Sequence, residues 1–401
     1  MRHPLKSTLA IAAIVLAACG GGGGSDSVTP PPPPPPPPPE ATGPYQATLI
    51  AGSAAAESYR YGQNPDPDVG CDDGAALDAK LNPRSDRGSA FARLPNGNLV
   101  LAEVGFCDYR FRIRAIDPAG NTLKTLAVAA SRLSDDTTTP LTTFWTPTSL
   151  AVAPSGEIYI ADSDLFTVDL VIRPRSAPGA GPGIWKLDAG GNVSLLAGVS
   201  LPEGRGVDGA GTAAGFTYID KICHGSDGML YVRDNSRIRT VSTQGAVTSL
   251  DNRLHMLACG VGGSVLALKP ASYLAFSDND DFYDPITQKP VGKVGDAVAA
   301  FRGDAISVAY EDRMLLYFGP ERASVLIKRR GEEESDPLYY TELVMVNLAD
   351  GSAELVARIG TQPNLTATPP TIAAPVAAVA TGGTDFDILT GRGVIRFTRK
   401  P

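Results

Sequence analysis

The chain has 401 residues, 43% of them hydrophobic, and a formal net charge of −8 at pH 7. That apolar fraction is enough for a sizeable core, and an acidic balance with no long basic block argues against nucleic acid as a partner.

The first forty residues are the least globular. Arg2, His3 and Lys6 precede an apolar run from Leu9 to Leu16, and Ala17, Ala18 and Cys19 follow. A basic segment, a short apolar segment and small residues have the form of a secretory signal, and the run is too short to span a bilayer as a mature helix. Gly20–Gly24 and then the ten prolines Pro30–Pro39 come next. Prolines lack backbone donors, so this stretch is expected to form a polyproline II spacer roughly 30 Å long. Leu16-Ala17-Ala18-Cys19 resembles the lipobox of bacterial lipoproteins. The resemblance implies a signal peptide over 1–18, acylation of Cys19, a linker over 19–43 and a folded domain over 44–401. In such lipoproteins an Asp after the lipidated Cys favours inner-membrane retention. Gly20 stands there, which implies the outer membrane, with the bilayer a partner through the anchor.

The folded part reads as short strands, and no segment carries a sustained helical period. Tyr45–Gly52 is a strand with no unit before it. Three similar units follow over roughly 88–127, 145–198 and 215–250. Each reads as four short strands, the first ending in a Gly-containing turn such as Pro95-Asn96-Gly97-Asn98, Pro154-Ser155-Gly156-Glu157 or Ser226-Asp227-Gly228-Met229. An apolar strand comes next, then an Ile-Arg-x-Ile/Val type, then a Val-Thr-x-Leu type. A fourth unit is expected over 254–294, with strands near Leu254–Ala258, Val265–Leu268 and Tyr273–Ser277. A fifth is expected over 305–359, with Leu343–Leu348 and Ala353–Arg358 as its last two strands. The final stretch supplies only three: Val376–Ala380, Asp385–Thr390 and Gly393–Arg399.

Gly206-Val207-Asp208-Gly209-Ala210-Gly211-Thr212-Ala213-Ala214-Gly215-Phe216 and the unit behind it resemble the NHL repeat, and Cys71–Ala79 is a looser version of the same lead-in. The resemblance implies an all-β fold, a β-propeller of four-stranded antiparallel blades. Tyr45–Gly52 completes the last blade and brings the count to six, leaving no open sheet edge.

In such a propeller Cys223 and Cys259 end the first strands of adjacent blades, and Cys71 and Cys107 sit in loops on one face. Two disulfides are expected, Cys71 with Cys107 and Cys223 with Cys259, as suits an exported protein. The competing zinc reading of Cys223, His224, His255 and Cys259 fails on reach: His255 and Cys259 lie at opposite ends of one strand, about 13 Å apart at ~3.3 Å per residue. No metal and no cofactor are expected. The acidic run Asp278–Asp281 with Asp284 lacks the spacing of a calcium loop and reads as a solvated turn. Lys328–Glu334 reads as an exposed hairpin tip. Two insertions, 163–183 and 319–340, separate second from third strands, and loops on a rigid scaffold are where binding concentrates. Leu165, Phe166, Arg173 and Arg175 in the first, and Tyr339 and Tyr340 in the second, are the candidate binding residues. The expected role is a monomeric, non-catalytic scaffold for an envelope protein or glycan. The alternative is a lyase or hydrolase working at the channel mouth through His255.

Overall fold

The computed structural model describes residues 43–55, 66–83, 90–129, 143–163, 181–198, 206–235, 237–250, 254–269, 281–293, 314–329 and 341–401. Residues 1–42 lie outside them. The described residues form six small sheets, each a blade of a β-propeller.

From the centre outward, the first blade consists of Phe91–Arg93, Leu99–Val104, Phe111–Asp117 and Thr122–Val128. The second is Pro147–Val152, Ile158–Asp162, Gly183–Leu187 and Val193–Ala197. The third is Ile219–His224, Leu230–Asp234, Arg237–Val241 and Ala246–Ser249. The fourth is His255–Cys259, Val265–Lys269, Asp281–Asp284 and Lys289–Lys293. The fifth is Met314–Tyr317, Ser324–Arg329, Glu342–Asn347 and Ala353–Ile359. The sixth is Pro375–Gly382, Asp385–Thr390, Gly393–Arg399 and, from the other end of the chain, Tyr45–Gly52.

Burial follows position. Second strands lie between neighbouring blades and are covered on both faces, so every residue of Leu99–Val104 and Ile158–Asp162 is buried. Fourth strands sit at the rim and keep one wet face, as in Thr122–Val128 and Ala246–Ser249. The core is therefore a set of seams, one per pair of adjacent blades. The seam between the sixth blade and the first packs Ala51, Leu389 and Val394 against Leu99, Leu101 and Ile116.

The ring closes as the sequence predicts. Tyr45 pairs with Arg399, Ala47 with Phe397 and Gly52 with Gly393, antiparallel. The Lys400 N–H donates to the Pro44 carbonyl at 2.9 Å.

Several sequence-based boundaries shift. The third strand of the fourth blade is Asp281–Asp284, not Tyr273–Ser277, which lies outside the described residues. Phe282 is fully buried and opposite Leu268, whereas Asp281 turns outward to Lys293 at 2.6 Å. Asp281 and Asp284 are thus strand residues. Asp284 caps the following turn through the Ile286 N–H at 2.8 Å and the Thr287 hydroxyl at 2.9 Å. The 319–340 insertion is shorter than expected, because Ser324–Arg329 inside it is the blade's second strand. Lys328 and Arg329 accordingly belong to a strand and not to a hairpin tip, and Arg329 pairs across to Glu342 at 2.8 Å. Three sheets also gain a fifth, two-residue strand at the rim. Gly74–Ala75, Gly209–Ala210 and Thr371–Ile372 pair with the fourth strands of blades one, three and five or, in blade three, with Ala246 and Val247.

Candidate functional site

The two faces of the ring differ. First-to-second and third-to-fourth connections are tight, and none is longer than 318–323. Their repeated geometry explains this: in 94–98, 153–157 and 225–229 a glycine (Gly97, Gly156, Gly228) adopts a positive φ that closes a short hairpin. The opposite face emits the second-to-third and fourth-to-first connections. Several are long, among them 53–90, 129–146, 163–182, 198–218 and 294–313. The chain enters at Gly43 and ends at Pro401 on the tight-turn face, because Tyr45 starts its strand opposite Arg399.

The roots of the long connections are fastened by buried charge. In blade three, Asp234 closes the second strand. Its Oδ1 accepts the Thr217 and Tyr218 N–H groups at 2.7 and 2.9 Å, holding the chain just before it enters the first strand. Its Oδ2 takes Arg239 Nη1 at 3.0 Å, and both side chains are 1% exposed. Arg239 also reaches Asp208 at 2.8 Å and lies 4.9 Å over the Phe216 ring. Burial pushes the Asp208 carboxyl up, but the Ser249 N–H, the Arg239 guanidinium and the Ser249 hydroxyl together hold it below the usual range.

Blade one repeats the device with different residues. Arg114 stands where Arg239 does, Glu103 where Asp234 does, and Asp73 where Asp208 does. Arg114 meets Glu103 at 2.8 Å and Asp73 at 3.1 Å. Asp73 accepts the Thr125 N–H at 2.7 Å and its hydroxyl at 2.8 Å, as Asp208 does from Ser249. Glu103 accepts the Asn82 N–H at 2.6 Å. Burial raises its carboxyl, with Arg114 and that N–H opposing. In blade two Asp162 takes the Trp145 and Thr146 N–H groups at 2.6 and 2.9 Å, and Trp185 occupies the register position of the arginine. Asp73 and Asp208 lie in the two lead-in motifs, and neither was expected to have a role. The signal was there, in an Asp at one place in each motif and an Arg at one place in each third strand.

Both expected disulfides form. Cys71–Cys107 joins two connections on the long-loop face, and Cys223–Cys259 links the inner strands of blades three and four near the other face. Cys107 is exposed and has Arg112 Nη2 3.1 Å from its sulfur. Asp108 grips the same guanidinium at 2.9 and 3.0 Å.

The two histidines of the domain stand apart. His224 ends its inner strand on the tight-turn side, stacked 6.2 Å from Tyr159, and burial lowers its basicity. His255 begins the neighbouring inner strand at the other face. Cys223 and Cys259 are in a disulfide, and among the described residues no group of three or more His, Cys, Asp or Glu side chains could hold a metal. Near the same mouth as His255, Asp220 sits at a bulge beside Arg233 at 3.1 Å. Burial pushes its carboxyl up to about 6, against the pull of Arg233. A cavity of about 310 Å³ lies elsewhere, on the tight-turn side between blades five and six, lined by Phe318, Arg322, Asn347 and Glu354. The candidate binding residues Leu165, Phe166, Arg173, Arg175, Tyr339 and Tyr340 lie outside the described residues, as does Cys19.

No family profile and no curated protein matches the chain. Among solved structures it is similar to a structural genomics protein of unknown function from Bacteroides thetaiotaomicron, at 14% identity and a TM-score of 0.49 over 89% of this chain and 76% of that one. It is also similar to a streptogramin B lyase, at 12% identity and a TM-score of 0.42 over 89% and 98%. A gluconolactonase from Xanthomonas campestris gives 10% identity and a TM-score of 0.42 over 90% and 97%. None of these likenesses carries a site residue over to this chain.

Proposed function

We propose that this chain is an envelope lipoprotein, anchored through Cys19, whose propeller is a non-catalytic scaffold for a protein or glycan ligand. The observation that carries the reading is the asymmetry of the ring. One face has only tight turns, while the other carries the long connections, with their roots fastened by Arg114, Arg239 and the Cys71–Cys107 bridge. Rigid roots under long connections lower the ordering cost of binding, since less chain has to be fixed when a ligand arrives. Gly43 enters the ring at the tight-turn face, opposite the long connections.

The test is capture by crosslinking in intact cells. Replacing 164–180 with a short Gly-Ser connection should abolish recovery of the envelope partner. The same treatment of the tight turn 188–192 should leave recovery intact. Equal recovery from both variants contradicts the assignment of the face. Turnover of any substrate that is lost in His255→Ala would contradict the non-catalytic reading. Cys19→Ser should release the protein from the membrane fraction.

A further inference from the structure

We propose that Cys71–Cys107 is an exchangeable redox site for a dithiol reductant, and that Cys223–Cys259 is an inert structural bridge. The two disulfides close loops of equal sequence separation, 36 residues each, so their difference lies in surroundings. Cys223 is 1% exposed and packs with Tyr231, Leu257 and Val265 in an apolar seam. A thiolate formed there would be desolvated and disfavoured. Cys107 is exposed, on the short second-to-third connection of blade one at the long-loop face.

Each sulfur of the exposed bridge has a donor for the charge that exchange creates. Cys71 Sγ accepts the Cys107 N–H at 3.1 Å, and Cys107 Sγ accepts Arg112 Nη2 at 3.1 Å. Gly105 makes room for this arrangement, since a Cβ there would clash with Arg112 Nη1 and come within 2.7 Å of Cys71 Sγ. The incoming thiolate attacks Cys107 Sγ. The S–S bond breaks, and its electron pair goes to Cys71 Sγ, which leaves as a thiolate held by the Cys107 N–H. The second thiolate of the reductant then attacks its own sulfur in the mixed disulfide. Cys107 Sγ is expelled as a thiolate beside Arg112. The reductant ends as a disulfide, the protein gains two electrons, and two protons follow the thiolates. Asp108 shares the Arg112 guanidinium and moderates its charge, Arg110 is turned onto the Ala129 carbonyl, and Asp72 and Asp73 follow Cys71 in the chain, the latter's carboxylate held by Arg114 and Thr125.

The reduced lead-in stays docked. Asp73 remains on Arg114 and Thr125, and the Gly70 and Phe106 N–H groups keep the Lys80 and Val69 carbonyls, so opening is confined to the sulfur loop.

The purified full-length protein is treated with dithiothreitol without denaturant, then alkylated and mapped by mass spectrometry. Cys71 and Cys107 should label at least about tenfold faster than Cys223 and Cys259, with the circular dichroism spectrum unchanged. In the reduced protein, the pH midpoint of Cys107 alkylation should rise in Arg112→Gln and return in Arg112→Lys. Equal labelling rates for both bridges, or labelling only after unfolding, overturns the proposal. A midpoint unmoved by Arg112→Gln, in a variant that melts like the parent, also overturns it.

Discussion

Arg239 and Arg114 show how much of this protein rests on single buried charges. Each guanidinium is 1% exposed and joined to a carboxylate on the second strand that is no more exposed. Removing the cation strands a carboxylate in the seam, so Arg239→Met should lower stability by ~3–5 kcal/mol in urea unfolding. Asp73→Ala, at a side chain 48% exposed, should cost only about 1 kcal/mol, because water replaces most of what is lost. Asp220 works in the opposite sense. Its folded value, about 6, lies above the ordinary 3.8. The folded state therefore holds a proton that the unfolded state has released, and the stability this gives is complete below pH ~4 and lost as pH rises through about 6. Relative to Asp220→Asn, the parent should lose up to ~3 kcal/mol between those limits, read from denaturant melts across the range. Little of this was legible in the sequence. The Asp and Arg of each repeat could be read, but a pair like Asp208 and Arg239 becomes a contact only when the lead-in folds over the blade.

Strands were legible where alternation and turn chemistry agree. Asn96-Gly97 and Asp227-Gly228 mark hairpins whose flanking strands fall where expected, and the sixth blade matches to within a residue or two. The fourth and fifth blades were misread in part. Asp281–Asp284 carries two carboxylates and one buried aromatic, so its polarity hides a strand, and Ser324–Arg329 ends in a basic run that looks like a tip. Both are held by what lies across from them, Leu268 for Phe282 and Glu342 for Arg329. The closing blade shows what an aromatic cluster contributes. Phe386 and Phe397 stack 5.2 Å apart, and Tyr45 meets Phe386 edge-on at 5.4 Å. Phe397→Ala should cost ~3–5 kcal/mol and, because it loosens the strand that holds Tyr45–Gly52, should speed proteolysis near the N-terminal end of the domain.

At the scale of the ring, stability and orientation have one origin. Six seams hold six blades, and Tyr45–Gly52, coming back to Gly393–Arg399, completes the seam of blade six with blade one through Ala51. Without that strand the rim of blade six is an unpaired edge and Ala51 no longer covers Leu81 and Leu99. The same pairing puts Gly43, where the chain enters the ring, on the tight-turn face, opposite the long connections. The most direct test is a cysteine placed on each side of the closure. Gln46 and Thr398 are exposed and directly paired. Gln46→Cys with Thr398→Cys should form a disulfide that peptide mapping finds between the two ends of the domain, with the native bridges intact. Gln46→Cys with Lys124→Cys, on a different sheet, should stay reduced. A closed ring predicts the first bridge in nearly every molecule; free thiols at both positions in folded protein would contradict it.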